Sequence, residues 1–199
     1  MTVILLVVLL SLLIGKLRGG SLDRLATLHL AGWWLVFVAV AVQALGAFAG
    51  ELGLSSPQTV YVVGMLGSAA LITVFVLRNR FVPGMLLIAA GFILNATVVA
   101  ANGAMPVDLG AADEAGISLS HIYAGADAKH EVRTDDTRLA FLSDVIAVPL
   151  PLPTGSNVVS VGDIVLAAGI GVLVVRGMLR RRRPQGPQGV LARAGLSPS

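Results

Sequence analysis

Five apolar stretches, joined mostly by short charged connections, constrain this chain more than any other feature. Each approaches the ~20 residues that an α-helix needs to cross the hydrocarbon core of a bilayer. Charged residues make up only 13% of the 199 residues, against roughly 25% in soluble domains. Lipid must therefore solvate much of the surface. We predict five transmembrane helices, over about 2–15, 29–49, 58–77, 81–101 and 161–178.

The distribution of basic residues predicts how these helices are oriented. The first connection, the third connection and the C-terminal tail are rich in lysine and arginine, whereas the second carries only Glu51 and the fourth is acidic. Since basic connections stay in the cytoplasm, we expect an extracytoplasmic N-terminus and a cytoplasmic C-terminus in a bacterial plasma membrane. Lys16 and Arg18 follow the first stretch instead of preceding it, which favours a retained helix over a cleaved signal peptide.

The fourth connection, residues 102–160, is called the polar segment below. Eight of the eleven acidic residues fall between Asp108 and Asp144. Thr134 or Asp135 can begin a short amphipathic helix that ends before Pro149, and an extended run, Pro149 to Pro153, follows it. We therefore expect an all-α fold: a membrane bundle of five transmembrane helices with an extracytoplasmic lid of one or two short helices. Residues 1–183 would form a single membrane domain, and 184–199 a disordered cytoplasmic tail.

Two local patterns at the ends of the polar segment predict helix boundaries. Asn102-Gly103 is typical of a helix stop, because both residues tolerate a left-handed backbone. Ser160 followed three residues later by Asp163 fits a capping box at the start of the last helix. Asp163 then lies in the first turn, where the helix dipole favours a carboxylate.

Several polar side chains are expected in the outer half of the bundle or just above it. Asn95 and Asn102 are seven residues apart and share a helix face, and Gln43 lies at a similar depth. Arg138, on the short helix, could reach Asp144 or Asp163. A plain structural interpretation stays open, in which the amides bond between helices and Asp163 only caps a helix. The candidate ligand-binding residues are Gln43, Asn95, Asn102, Arg138, Asp144 and Asp163.

Other kinds of chemistry find little support. The residues His121, Asp127, His130, Glu131, Asp135 and Asp136 match no metal-ligand spacing, so we predict no metal and no cofactor. A hydrolytic trio from Ser143 or Ser160 with His130 and an aspartate lacks the Gly-x-Ser-x-Gly signature, and a non-enzymatic role is favoured. Nucleic acid is not expected as a partner, because no basic face is interleaved with aromatic residues.

The order of these signals resembles a known family. Asn102-Gly-Ala-Met-Pro-Val107 comes first, then Thr137-Arg-Leu-Ala-Phe-Leu-Ser-Asp144, and then Ser160-Val-Gly-Asp163. The pattern is similar to that of small bacterial integral membrane proteins classed as a domain of unknown function. Members tend to have a second glycine where this chain has Ala104. The resemblance implies a compact membrane bundle with an ordered outer segment, and it implies no mechanism.

Two functions compete. In the first, the protein binds a small ligand or a lipid headgroup in an outward-facing pocket under the polar segment. In the second, it is a non-enzymatic accessory or scaffold subunit that binds a larger membrane protein. The discriminating feature is the polar face carrying Asn95 and Asn102: a cavity shared with Asp163 would favour binding, and full pairing with neighbouring helices would favour the accessory role.

Overall fold

The computed structural model describes residues 2–48, 53, 56–118, 129–149 and 157–180. This part of the chain is mostly helical, as expected. The tail 184–199, most of the Pro149–Pro153 run, and His121 and Asp127 lie outside the described residues. The helices are α1 (Thr2–Leu17), α2 (Leu22–Ala26), α3 (Trp34–Ala47), α4 (Pro57–Arg78), α5 (Met85–Asn102), α6 (Leu109–Glu114) and α7 (Val161–Leu179).

Three of the described helices are long and apolar enough to cross a membrane: α4, α5 and α7, with 22, 18 and 19 residues. The other two predicted spans correspond to α1 and α3, which are apolar but shorter. α3 begins five residues later than expected because the Asn79 side chain bonds both the N–H and the C=O of Ala31, which holds the preceding residues in a turn. α5 begins after Gly84, whose φ of 92° is left-handed, and not at Phe81.

The long helices pack in the spatial order α3, α4, α5, α7 and α1. α5 and α7 run antiparallel and meet through glycines. A Cβ at Gly91 would lie 2.5 Å from the carbonyl oxygen of Gly162, and one at Gly169 would lie 2.9 Å from that of Gly84. These backbones are too close for any larger side chain. The glycine spacing therefore fixes how α5 and α7 align, and with it the site described below.

The polar segment departs from the predicted all-α fold. β1 (Met105–Val107) pairs in parallel with β2 (His130–Val132), and β3 (Ile146–Val148) pairs in antiparallel with β4 (Asn157–Val159). The predicted helix from Thr134 to Pro149 is wrong: that stretch holds a single 3-10 turn, Ala140–Leu142, followed by β3.

Long-range hydrogen bonds explain why the predicted helix does not form. The Asp144 N–H donates to the Pro106 carbonyl, and the Asp144 carbonyl accepts from the Asp108 N–H, both at 2.9 Å. Leu139 adopts a left-handed backbone with φ of 55°, which interrupts a helix. Backbone groups that a helix would pair locally are thus bonded to the strand that follows α5.

Candidate functional site

A cluster of three polar side chains joins α5 to the start of α7. The Asn95 amide donates to Asp163 Oδ1 at 2.7 Å, and its carbonyl oxygen accepts from the Ser160 hydroxyl at 2.9 Å. Asn95 and Ser160 are buried. We call Asn95, Ser160 and Asp163 the interhelical cluster. Its bonds cross between helices that are distant in sequence, so it stabilises the packing of α5 on α7.

The two helix boundaries at the ends of the polar segment are confirmed. Ser160 Oγ accepts from the Asp163 N–H at 3.0 Å, and Asp163 Oδ2 accepts from the Ser160 N–H at 3.2 Å, which completes the capping box. Gly103 ends α5 with a left-handed φ of 95°. Asp163 therefore caps α7 and bonds Asn95 at the same time.

Asn102 fastens the polar segment to the end of α5. Its carbonyl oxygen accepts from the Arg138 N–H and its amide donates to the Arg138 carbonyl, both at 2.9 Å. A side-chain amide here pairs with a backbone as a neighbouring strand would. The predicted reach of Arg138 to Asp144 or Asp163 is not found, because no ion pair links these residues in the described ranges. Arg133 instead pairs with Asp108 on this segment, at 2.9 Å.

Gln43 lies apart from the other candidate residues. Its amide donates to the Met65 sulfur at 3.3 Å. Met65 lies on α4, and its side chain packs in a cluster with Ala96 and Val99 of α5. Met65 thus separates Gln43 from α5. The structure brings Asn95 and Asp163 together and ties Asn102 to Arg138, but it does not bring Gln43 to either group.

Asp144 is a buried carboxyl group on the described part of the polar segment. It is 7% exposed, and the preceding Ser143 is fully buried. Asp144 Oδ1 and Ser143 Oγ have no hydrogen-bond partner among the described residues. Burial, and then the negative charge of Asp163, raise the pKa of Asp144 to about 7, while His130 acts in the opposite direction. We call Ser143 and Asp144 the buried acidic site, with Asp163 as its charged neighbour.

The buried acidic site has two polar atoms without a partner among the described residues: a carboxyl oxygen of Asp144 and the Ser143 hydroxyl, which can donate or accept. A buried polar atom without a partner costs about 1–3 kcal/mol, and native proteins leave few of them. Such atoms can be satisfied by a group that donates hydrogen bonds. The sequence suggests only a nucleophilic role for Ser143, and no local signal marks its burial. The described residues contain no group of three His, Asp or Glu side chains that could hold a metal ion.

These observations define a class of protein: a bundle with three apolar helices of membrane length, joined to a polar segment whose described residues include short strands. The chain belongs to the family of unknown function DUF5317, whose model matches residues 27–175. It is also similar to an uncharacterized protein of Thermotoga maritima, with 34% identity over 110 residues that cover 54% of this chain and 60% of that protein. The match thus spans less than two thirds of that relative. No solved structure matches the chain.

Proposed function

We propose that the chain crosses a bacterial plasma membrane five times, with its N-terminus and the polar segment outside and its C-terminus in the cytoplasm. The ends of α1, α4 and α7 support this orientation. Each carries a basic residue in its last turn, Lys16, Arg78 and Arg176 respectively. The three helices run in the same direction, so these charges gather at one end, away from the acidic polar segment. Basic residues concentrate on the cytoplasmic side of membrane proteins.

Asn95 and Asn102 are paired with protein groups, so the binding proposal moves from their face to the buried acidic site. The function supported best there is the binding of a small ligand with a primary ammonium group. One observation carries it: Asp144 Oδ1 and Ser143 Oγ are buried without a described partner. The charge of Asp163 nearby favours a cation, and the unpaired carboxyl oxygen of Asp144 favours a cation with N–H groups. A lipid headgroup or a free amine has this chemistry. Gln43 and Arg138, part of the wider pocket predicted from the sequence, are not needed.

The interhelical cluster fixes the position of the charged neighbour of this site. Both Asp163 oxygens already accept a hydrogen bond, one from Asn95 and one from the Ser160 N–H. Asp163 therefore has a fixed position and acts on the ligand through its charge. Asp144 keeps one oxygen for direct contact. In this division of roles, Asp163 selects for positive charge and Asp144 binds.

The test compares two cations of equal charge in lipid nanodiscs at matched ionic strength. Methylammonium has three N–H groups, and tetramethylammonium has none. A ligand that binds only the folded state raises the melting temperature. We expect methylammonium to raise it and tetramethylammonium not to. D144N should lose the response, and D113N, which changes an exposed carboxylate on α6, should keep it.

Two outcomes would overturn the binding proposal. One is the absence of any methylammonium effect on the wild-type protein, and the other is an equal effect on D144N. S143A serves as a second variant, because it removes the buried hydroxyl group of Ser143 without altering the charge of the site. It should weaken the response without abolishing it. Native mass spectrometry of the same nanodiscs distinguishes a retained lipid from a free amine by its mass.

The accessory role remains the alternative, and one observation favours it. The side chains of Asn95 and Asn102 are engaged by protein partners, the arrangement expected for a scaffold. Phe141 in the 3-10 turn is also 68% exposed, an apolar side chain on the polar segment. A co-purifying membrane protein that F141A releases, together with no response to methylammonium, would favour this role.

A further inference from the structure

A second site lies between α1 and α7, at a distance from the buried acidic site. The two helices leave an open groove of about 590 Å³. Its wall is largely aliphatic, with Val7, Ile14, Ala168 and Val172 among the lining residues, and Arg18 and Arg176 line it as well. Basic residues are common at the cytoplasmic ends of membrane helices, but here two of them line the same apolar groove.

The packing of α1 on α7 places both arginines at one end of the groove. A Cβ at Gly171 would approach Ser11, and one at Gly15 would approach Met178, so the helices run in the same direction. The Ser21 N–H donates to the Met178 carbonyl at 3.1 Å and fixes this end. Arg18 and Arg176 are exposed, and neither forms an ion pair with a described residue. The groove therefore has an aliphatic body and a cationic end.

We propose that this groove binds one anionic phospholipid, with an acyl chain along the aliphatic wall and the phosphate between Arg18 and Arg176. The proposal rests on the orientation given above, which puts this end at the cytoplasmic leaflet, where anionic lipids attract basic residues. Guanidinium groups match phosphate oxygens in a two-pronged geometry. From Val3 to Arg18 the groove follows about 22 Å of helix at 1.5 Å per residue, enough to hold an acyl chain along its length.

Charge argues against a second copy of this chain as the occupant. A symmetric pair of copies would present the same patch to each other, and in a membrane their cytoplasmic ends would coincide. Arg18 and Arg176 of one copy would then face the same two cations of the other. A phosphate neutralises these charges instead. The lipid thus fits both the wall and the end of the groove.

Native mass spectrometry of full-length protein in mixed micelles tests the site, with phosphatidylglycerol and phosphatidylcholine at equal amounts. We expect one tightly retained phosphatidylglycerol. R18Q/R176Q should weaken its retention relative to phosphatidylcholine about thirty-fold, on the basis of ~1 kcal/mol per arginine near an anionic lipid. R24Q/R80Q removes the same charge outside the groove and should keep the preference.

A168F distinguishes a lipid bound in the groove from lipids that are attracted only by surface charge. Ala168 is exposed in the groove, so a phenyl ring there fills the space of the acyl chain and leaves both arginines in place. We expect A168F to lose the retained lipid. Equal retention in A168F or in R18Q/R176Q would overturn the proposal, as would a dimer peak that A168F removes. D144N should retain the lipid, which keeps this test independent of the ammonium site.

Discussion

Asp144 should make the stability of this protein fall as the pH rises, and D144N should remove that dependence. Burial and the charge of Asp163 raise the pKa of Asp144 from 3.8 to about 7, so the folded state holds the proton more tightly than the unfolded state. Below about pH 4 the carboxyl group is protonated in both states and costs nothing. Between about pH 4 and 7 the free energy of unfolding falls, because the group ionises freely in the unfolded state but not in the folded state.

The size of the effect follows from the shift in pKa. A difference of about three units, at ~1.36 kcal/mol each, corresponds to about 4 kcal/mol lost between pH 4 and pH 8. For a chain of this length, 1 kcal/mol moves the melting temperature by roughly 2–4 °C. The quantity to compare is the melting temperature of the wild-type protein minus that of D144N. This difference should be about 8–16 °C lower at pH 8 than at pH 4.

The assay is thermal unfolding of both proteins in the same nanodiscs from pH 4 to pH 8, without added amines. Only the difference between the two proteins counts, because Glu131, whose pKa burial also raises, and other groups titrate in both. D113N is the control and should follow the wild-type curve. Parallel curves for the wild-type protein and D144N would refute the reasoning, since they would mean that Asp144 ionises as easily folded as unfolded. An increase in the melting temperature of the wild-type protein relative to that of D144N as the pH rises would refute it more strongly.

Two further substitutions test how the polar segment and the bundle are joined. N102A removes both bonds to the Arg138 backbone, which should lower local stability by ~1.4 kcal/mol. Amide hydrogen exchange across residues 137–142 should then become at least ten-fold faster. Unchanged exchange would contradict this role of Asn102. G162A places a methyl group against the Asn95 amide and should cost about 1–3 kcal/mol by overpacking, measured as a lower melting temperature. The control is G67A on α4, where the added methyl group meets only Val42 at 3.6 Å and should be neutral or stabilising. An equal fall in melting temperature in both variants would argue against close packing of α5 on α7.

The helix ends could be predicted from the sequence because capping is local. Ser160 and Asp163 are three residues apart, and Asn102 and Gly103 are adjacent, so each pattern contains its own partners. The apolar stretches were equally readable, since hydropathy depends on a short window. All five stretches contain helices, and three of these, α4, α5 and α7, are long enough to cross a membrane. The start of α5 differs from the prediction because Gly84, a left-handed residue, precedes it.

The fold of the polar segment was not predictable by the same means. Met105 pairs with His130, and Asn102 bonds Arg138 across 36 residues. A periodic pattern such as Leu139, Leu142 and Ile146 is compatible with a helix. The backbone there instead bonds to β1 and to Asn102, and these distant partners outweigh local preference. The burial of Asp144 depends on the same pairing, so no local pattern in the sequence indicates it.

The polar residues of this chain differ in what the fold already explains. Asn102 clamps Arg138, Ser160 caps α7, and Asp163 bonds Asn95 as well as capping, so the position of each follows from structure alone. Asp144 is different, because its side chain lowers stability at neutral pH by an amount that is large beside the 5–15 kcal/mol that holds a typical domain folded. An uncharged side chain of similar size would avoid that cost. A donor ligand that ion-pairs with Asp144 would offset it, and for this reason the search for a function begins at Asp144 and not at the better-connected residues around it.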